Sequence, residues 1–272
     1  MSAERVRVAF IVGTRRSGST WLNAVLGSLS WAANLGEFSR PFDQPGHVLC
    51  RQCEADGLAD CTVLHGLDAV PPERGYHFAA ARFGDRLLID ASKRIEWAAE
   101  FVGRDDLDVR LIHLVRHPCG VVESEARRTP DSTHDEILAY WERRNAQIET
   151  FCANAGRPSI LVSYEDLADD PHTHFPRLCE FLGGPWEPPA LAYWNFPHHG
   201  LGGNGASSLY LRGRPKTNYV TGDDAYYMNL AAEPTRADER WRDRIPGDLR
   251  ARVAASAYAT ALANRLGRDT WT

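Results

Sequence analysis

An apolar run at residues 6–12 passes directly into Gly13-Thr14-Arg15-Arg16-Ser17-Gly18-Ser19-Thr20-Trp21. Leu22, Val25, Leu26 and Leu29 then follow at helical spacing. Strand, glycine-bearing turn and helix start form a geometry that holds a phosphate. Backbone amides at the helix N-terminus face the anion, and Gly18 lets the chain come close. Arg15, Arg16, Ser17, Ser19 and Thr20 add donors suited to anion oxygens. Ser19 stands where a nucleoside-triphosphate loop carries its lysine. A strand-to-helix turn with a solvated basic rim is the plainer alternative.

The alternation continues along the chain. Residues 87–90, 109–115 and 159–163 read as strands, with Gly36-Glu37 at the end of a further short one. Residues 94–103, 121–128, 135–153 and 250–266 read as helices, as do 175–182, which Gly183-Gly184-Pro185 closes. Strands alternating with helices predict an α/β fold: a three-layer parallel sheet with helices on both faces. Ligands of such sheets lie beyond the strand C-terminal ends, which would collect residues 13–20, Glu37, residues 90–93, residues 116–124 and Tyr164 on one rim. A single domain over residues 1–272 is expected. Residues 38–75 read as an irregular insertion on the substrate side, and glycine-rich residues 195–233 as loops covering the site. Aromatic residues such as Phe38, Phe42, Tyr193 and Trp194 are candidates for an acceptor pocket, although aromatics more often form core.

The net charge of −5 gives no global basic field for nucleic acid, so any anion site must be locally basic. No apolar run is long enough for a membrane-spanning helix, and charges enter too early for a signal peptide, so the expected location is cytoplasmic. The sequence does not indicate an oligomeric state. Of 31 basic residues only Lys93 and Lys216 are lysines. Six cysteines in a chain of this class do not suggest a disulfide framework. Cys50-x2-Cys53-x7-Cys61 with His65 offers a Cys3His set for zinc, against the alternative of reduced thiols in a surface insertion.

A second anion motif follows the strand at 109–115. Arg116 leaves the strand, Ser124 lies about two helical turns on, and Arg128 is one turn further. Ser124 and Arg128, at i and i+4, would share a ligand, and guanidinium with hydroxyl suits a phosphate monoester. A capped helix with solvated arginines is the alternative.

Together these motifs resemble the sulfotransferases that use 3′-phosphoadenosine 5′-phosphosulfate (PAPS). Arg16-Ser17-Gly18-Ser19-Thr20-Trp21 is similar to their 5′-phosphosulfate loop, and Arg116-x-Pro118-x5-Ser124 to their 3′-phosphate motif. Tyr164-Glu165-Asp166-Leu167 with Pro171 resembles their Y-E-D-L segment, and Asp90-Ala91-Ser92-Lys93 the D-S-S-K stretch of a bacterial and Golgi-type branch. The likeness runs over roughly residues 5–175. Farther on, His199-x3-Gly203-Asn204 is similar to a nucleotide-covering loop, with Ser207 in place of its arginine; His117 stands where the second motif usually has Asp.

The resemblance implies the fold of P-loop nucleoside-triphosphate hydrolases, PAPS as cosubstrate and no required metal. It implies sulfuryl transfer to a hydroxyl or amine of a small-molecule or glycan acceptor, leaving 3′-phosphoadenosine 5′-phosphate (PAP). Glu37, following Gly36, matches the glutamate base of that branch, with His117, His198 and His199 as rival bases. Arg16 and Lys93 would stabilise the leaving oxygen. Arg116, Ser124 and Arg128 would hold the 3′-phosphate. Asn204 would cover the nucleotide, with Tyr164 lining its site. Arg212, Arg214 and Lys216 form a short basic stretch near the glycine-rich loop that either folds over the nucleotide or is simply solvated. A small-molecule kinase and a non-catalytic PAP-binding protein are the competing readings.

Overall fold

A computed structural model of the chain describes residues 5–46, 48–203 and 236–271. Its centre is one five-stranded sheet of β1 (Val6–Gly13), β2 (Ala32–Gly36), β3 (Leu87–Lys93), β4 (Leu107–Val115) and β5 (Ser159–Ser163). The strands are all parallel, in the order β2-β3-β1-β4-β5. β1 runs in unbroken register with β4, from Val6 opposite Leu107 to Gly13 opposite Leu114. As expected of a strand covered on both faces, β1 is apolar on both. Val8, Phe10 and Val12 join one core cluster, and Ala9 and Ile11 join the other.

Helices cover both faces, giving the three-layer α/β architecture expected from the alternation. α1 (Ser19–Leu26) and α9 (Pro171–Leu182) supply the cluster containing Leu22, Val25, Phe175 and Leu182. α4 (Gly75–Phe83), α5 (Ile95–Val102) and α7 (His134–Asn154) supply Tyr76, Phe101 and Ile148 on the other face. After β1 the chain builds β2 and β3 on one side, then crosses to β4 and β5 on the other. The connections diverge beyond the end of β1, where such sheets bind ligands.

Several boundaries differ from the sequence expectation. β3 continues past Asp90 to Lys93 because a register shift between Phe10 and Val12 lets it follow β1 further. The helix expected at 121–128 is α6 (Pro118–Ala126), with Pro118 in its first turn. Residues 38–75 hold the short helices α2 (Arg40–Asp43) and α3 (Arg51–Ala55) and two 3-10 turns. Helices this short carry no readable period. The segment's apolar residues Phe38, Leu64 and Leu67 are buried in the main core, and Phe38 and Phe42 pack against Tyr76 and Trp97. The helix expected at 250–266 is two, Gly247–Ala255 and Ala257–Arg265. Ser256 between them is extended and accepts a hydrogen bond from the Ala259 amide, an N-cap that restarts the helix. With Trp241–Arg244, α6 and α7, they surround a third cluster built on Trp141, Trp241 and Trp271, while α8 (Tyr164–Asp169) turns Leu167 into the cluster of Leu22 and Phe175.

Candidate active site

Beyond the end of β1, residues 14–18 form a tight turn into α1. Gly18 caps the helix with φ +91° and offers no side chain to its amides. A Cβ there would come within 2.5 Å of the Tyr164 ring, so packing as well as φ requires glycine. Arg16 also has positive φ, at 64°. Thr14 Oγ1 and Ser17 Oγ are buried with no hydrogen-bond partner among the described residues. Buried hydroxyls without partners, beside open helix amides, fit an oxyanion ligand. Arg15 points away from the turn: it pairs with Glu125 at 3.4 Å and lies over the Tyr140 ring.

The second motif meets this turn directly. Arg16 Nε donates to Ser124 Oγ at 2.9 Å, and Arg116 Nη1 donates to the Arg16 carbonyl at 3.1 Å. Arg116 is buried over the face of Tyr164, 5.0 Å from the ring centroid. Its Nη2 pairs with Asp238 at 3.2 Å, and Asp238 also takes a two-pronged contact from Arg240. Burial would push the Asp238 carboxyl up, but the Arg240 hydrogen bonds and the Arg116 charge hold it well below the usual carboxylate range. Tyr164 Oη accepts from the Asp238 amide, closing the contact around Arg116.

His117 fills the role open to an acid at that position. Its Nδ1 accepts from the Cys119 amide as the N-cap of α6, so Nε2 carries the proton and donates to the Trp271 carbonyl. The ring stacks on Trp241 at 3.9 Å, and burial lowers its pKa to about 3. Neutral and enclosed, His117 is a helix cap rather than a base poised for proton transfer. Glu165 accepts from the His117 amide at 2.9 Å, which ties the Tyr164-Glu165-Asp166-Leu167 segment to the start of α6.

Glu37 and Lys93 meet from the ends of β2 and β3: Lys93 Nζ lies 2.5 Å from Glu37 Oε1 and 3.2 Å from the Ala91 carbonyl. Burial pushes the Glu37 pKa up, yet it is lowered overall. The Lys93 charge and hydrogen bond, the Gly203 amide and the Arg40 charge outweigh burial. Lys93 sits at φ 65°. The fully buried carboxylate of Asp90 shapes the turn beneath it. That carboxylate accepts from Tyr76 Oη at 2.6 Å, Trp97 Nε1 at 3.0 Å, the Ser92 amide at 2.6 Å and Ser92 Oγ at 2.5 Å. Glu37, Thr20, Trp21, Asn34, Trp194 and His198 line one pocket beside the turn. His198 Nε2 lies 2.8 Å from the Tyr193 carbonyl, and burial lowers its pKa.

The structure therefore draws Arg16, Ser17, Gly18, Ser19, Thr20, Arg116, Ser124 and Tyr164 into one cleft, with Glu37 and Lys93 at its margin. Arg15 faces Glu125 instead. Arg128 corrects an expectation: α6 ends at Ala126, so Arg128 lies in the exposed turn beyond the helix and not one turn past Ser124 on it. His65 is also corrected, since the imidazole that joins Cys50, Cys53 and Cys61 belongs to His199. Asn204, Arg212, Arg214 and Lys216 lie outside the described residues. Asp238 and Arg240 went unrecognised in the sequence, where a charged loop residue looks the same whether solvated or buried against a distant arginine.

The model of the sulfotransferase family (Sulfotransfer_3) matches residues 9–188, a span that holds both anion motifs. Among solved structures, the chain is similar to the sulfotransferase domain from the curacin biosynthetic pathway. The identity is 20%, with a TM-score of 0.64, 98% of this chain and 100% of that one covered. It is also similar to the sulfotransferase domain from the Synechococcus PCC 7002 olefin synthase, at 21% identity and TM-score 0.58, covering 99% and 98%. No curated protein sequence matches the chain. With the family model spanning most of its length over the parallel sheet and its rim, the chain belongs to the sulfotransferase family.

Proposed function

We propose that this sulfotransferase takes its sulfuryl group from PAPS and passes it to a hydroxyl or amine of a small-molecule or glycan acceptor, releasing PAP. The observation that carries the reading is the junction of the two anion motifs. Arg16 bonds Ser124, Arg116 bonds the Arg16 carbonyl, and all three border the open N-terminus of α1. A nucleotide with phosphate on both its 5′ and 3′ sides needs two such sites a short distance apart. The amides of the turn, Ser17, Ser19 and Thr20 would receive the 5′ side. Arg116 and Ser124 would receive the 3′-phosphate, with Tyr164 fixing the guanidinium plane.

Sulfuryl transfer, like phosphoryl transfer, asks the protein mainly for in-line positioning and cationic charge near the leaving oxygen. Arg16 and Lys93 supply that charge. Glu37, at the edge of the apolar pocket, takes the acceptor's proton as the acceptor oxygen or nitrogen bonds to sulfur and the bond from sulfur to the bridging oxygen breaks. The Lys93–Glu37 pair couples the two tasks, because the ammonium that serves the leaving group also keeps Glu37 ionised. Trp194, Trp21 and Ala24 form the apolar side on which an acceptor would lie.

Thermal shift with nucleotides tests the donor assignment. PAP should stabilise the chain strongly and ATP with Mg²⁺ weakly, since only PAP carries the 3′-phosphate. The reverse order would favour a kinase. Incubation with PAPS and a metabolite extract, read by mass spectrometry for a gain of sulfate, identifies the acceptor. Absence of any sulfated product would favour a non-catalytic role.

A further inference from the structure

The insertion between β2 and β3 carries three buried thiols that the reaction does not use. Cys50, Cys53 and Cys61 are at most 1% exposed. His199, 138 residues beyond Cys61, turns Nδ1 toward all three sulfurs, at 3.6, 3.7 and 3.8 Å from Cys50, Cys53 and Cys61. The four candidate ligand atoms lie within 4.8 Å of one another. A tetrahedral zinc ion with Zn–S near 2.3 Å and Zn–N near 2.0–2.1 Å separates sulfur from nitrogen by about 3.6 Å. The three observed sulfur–nitrogen spacings match the sulfur–nitrogen edges of that tetrahedron.

The surroundings suit thiolates. Each sulfur accepts a backbone amide: Cys50 from Cys53 at 3.3 Å, Cys53 from Thr62 at 3.4 Å, and Cys61 from Leu64 at 3.3 Å. Such donors orient thiolate ligands and offset the net negative charge of three thiolates around a dication. None of the three sulfurs is in a disulfide.

We infer that Cys50, Cys53, Cys61 and His199 bind one zinc ion as a closed structural site that fastens the insertion to the segment carrying His199. On binding, the three thiols release their protons to solvent and His199 donates the Nδ1 lone pair. Four protein ligands leave no open position, so the ion is structural rather than a Lewis acid for substrate.

The fastening has a consequence at the cleft. Leu201, two residues after His199, bridges Gly36 and Cys50, and its carbonyl accepts from the Glu37 amide at 2.6 Å. Gly203 then gives its amide to Glu37. The zinc site thus anchors the strip of backbone that holds Glu37. The metal assignment stands apart from the proposed reaction, whereas this positioning effect rests on it.

Metal content of the full chain, purified without a metal-binding tag, tests the site. Elemental analysis should find about one zinc per chain, and native mass spectrometry the same increment. A mercurial that blocks thiols should release it, and cobalt in its place should show the thiolate charge-transfer band of a tetrahedral site. In His199→Ala occupancy should fall to near zero, while Cys152→Ser should keep the metal. Should these variants fail to fold, the native chain's metal content and cobalt spectrum decide alone. Substoichiometric zinc after growth in zinc-rich medium, or a Cys50–Cys53 disulfide in the folded chain, overturns the inference. A zinc-loaded chain that ignores PAP would keep the metal site and sink the nucleotide reading; a zinc-free chain that binds PAP would do the opposite.

Discussion

Arg16 and Lys93, the two cations assigned to the leaving oxygen, are also the two non-glycine residues with positive φ among the described residues. Left-handed backbone costs an L-residue about 1–2 kcal/mol, and such strain gathers where side-chain direction matters more than stability. Lys93→Gly should therefore be more stable than Lys93→Ala by about 1 kcal/mol in denaturant unfolding, although both lose the ion pair with Glu37. Equal stabilities would mean that position 93 is not strained. Lys93 also lowers the Glu37 pKa, with burial acting the other way. In Lys93→Ala the Glu37 titration, followed by carboxyl NMR, should move to higher pH. In the native chain the ionised pair contributes stability above the ordinary carboxylate pKa, and that contribution is lost as pH falls through the lowered value. Glu37→Gln should cut turnover by about 10²–10⁴-fold with PAP affinity unchanged. Asp90 is a different kind of acid, enclosed and serving four donors. Asp90→Ala leaves Tyr76 and Ser92 without their acceptor, and unfolding should show a loss of about 2–4 kcal/mol.

At the scale of elements, the cleft is two helix starts facing each other across the end of β1. The α1 start is left open by Gly18, and the α6 start is closed by His117 and Glu165. Gly18→Ala would push a methyl into Tyr164, which lies against Arg116. The expected outcome is weaker PAP binding in calorimetry, together with a stability loss of about 1–2 kcal/mol from the left-handed φ. Unchanged affinity would separate Tyr164 from the anion site. The elements that carry this cleft were legible in the sequence because they are local. The apolar run of β1, the glycine turn, and Pro118 in the first turn of α6 each announce themselves within a dozen residues. Boundaries set by longer reach were not legible. β3 runs on to Lys93 through its pairing with β1, and Ser256 splits the last helical stretch by capping the second half.

At the scale of the molecule, distant segments complete the site in ways no spacing reveals. Asp238 comes back from beyond β5 to pair with Arg116, 122 residues earlier, and His199 reaches the cysteines of the insertion. Parallel order and the crossover from β3 to β4 bring the rim residues together, which the alternation of elements did foretell. The central claim is that this rim holds a nucleotide at two anionic ends and that Arg116 holds the ribose-borne one. Isothermal titration of PAP and of AMP into the native chain and into Arg116→Ala tests it most directly, with circular dichroism to verify that the variant is folded. The native chain should prefer PAP by roughly 10- to 150-fold, the worth of a charged hydrogen-bonded contact of about 1.5–3 kcal/mol, and Arg116→Ala should bring the two affinities together. A folded variant that keeps the native preference for PAP over AMP would contradict the account.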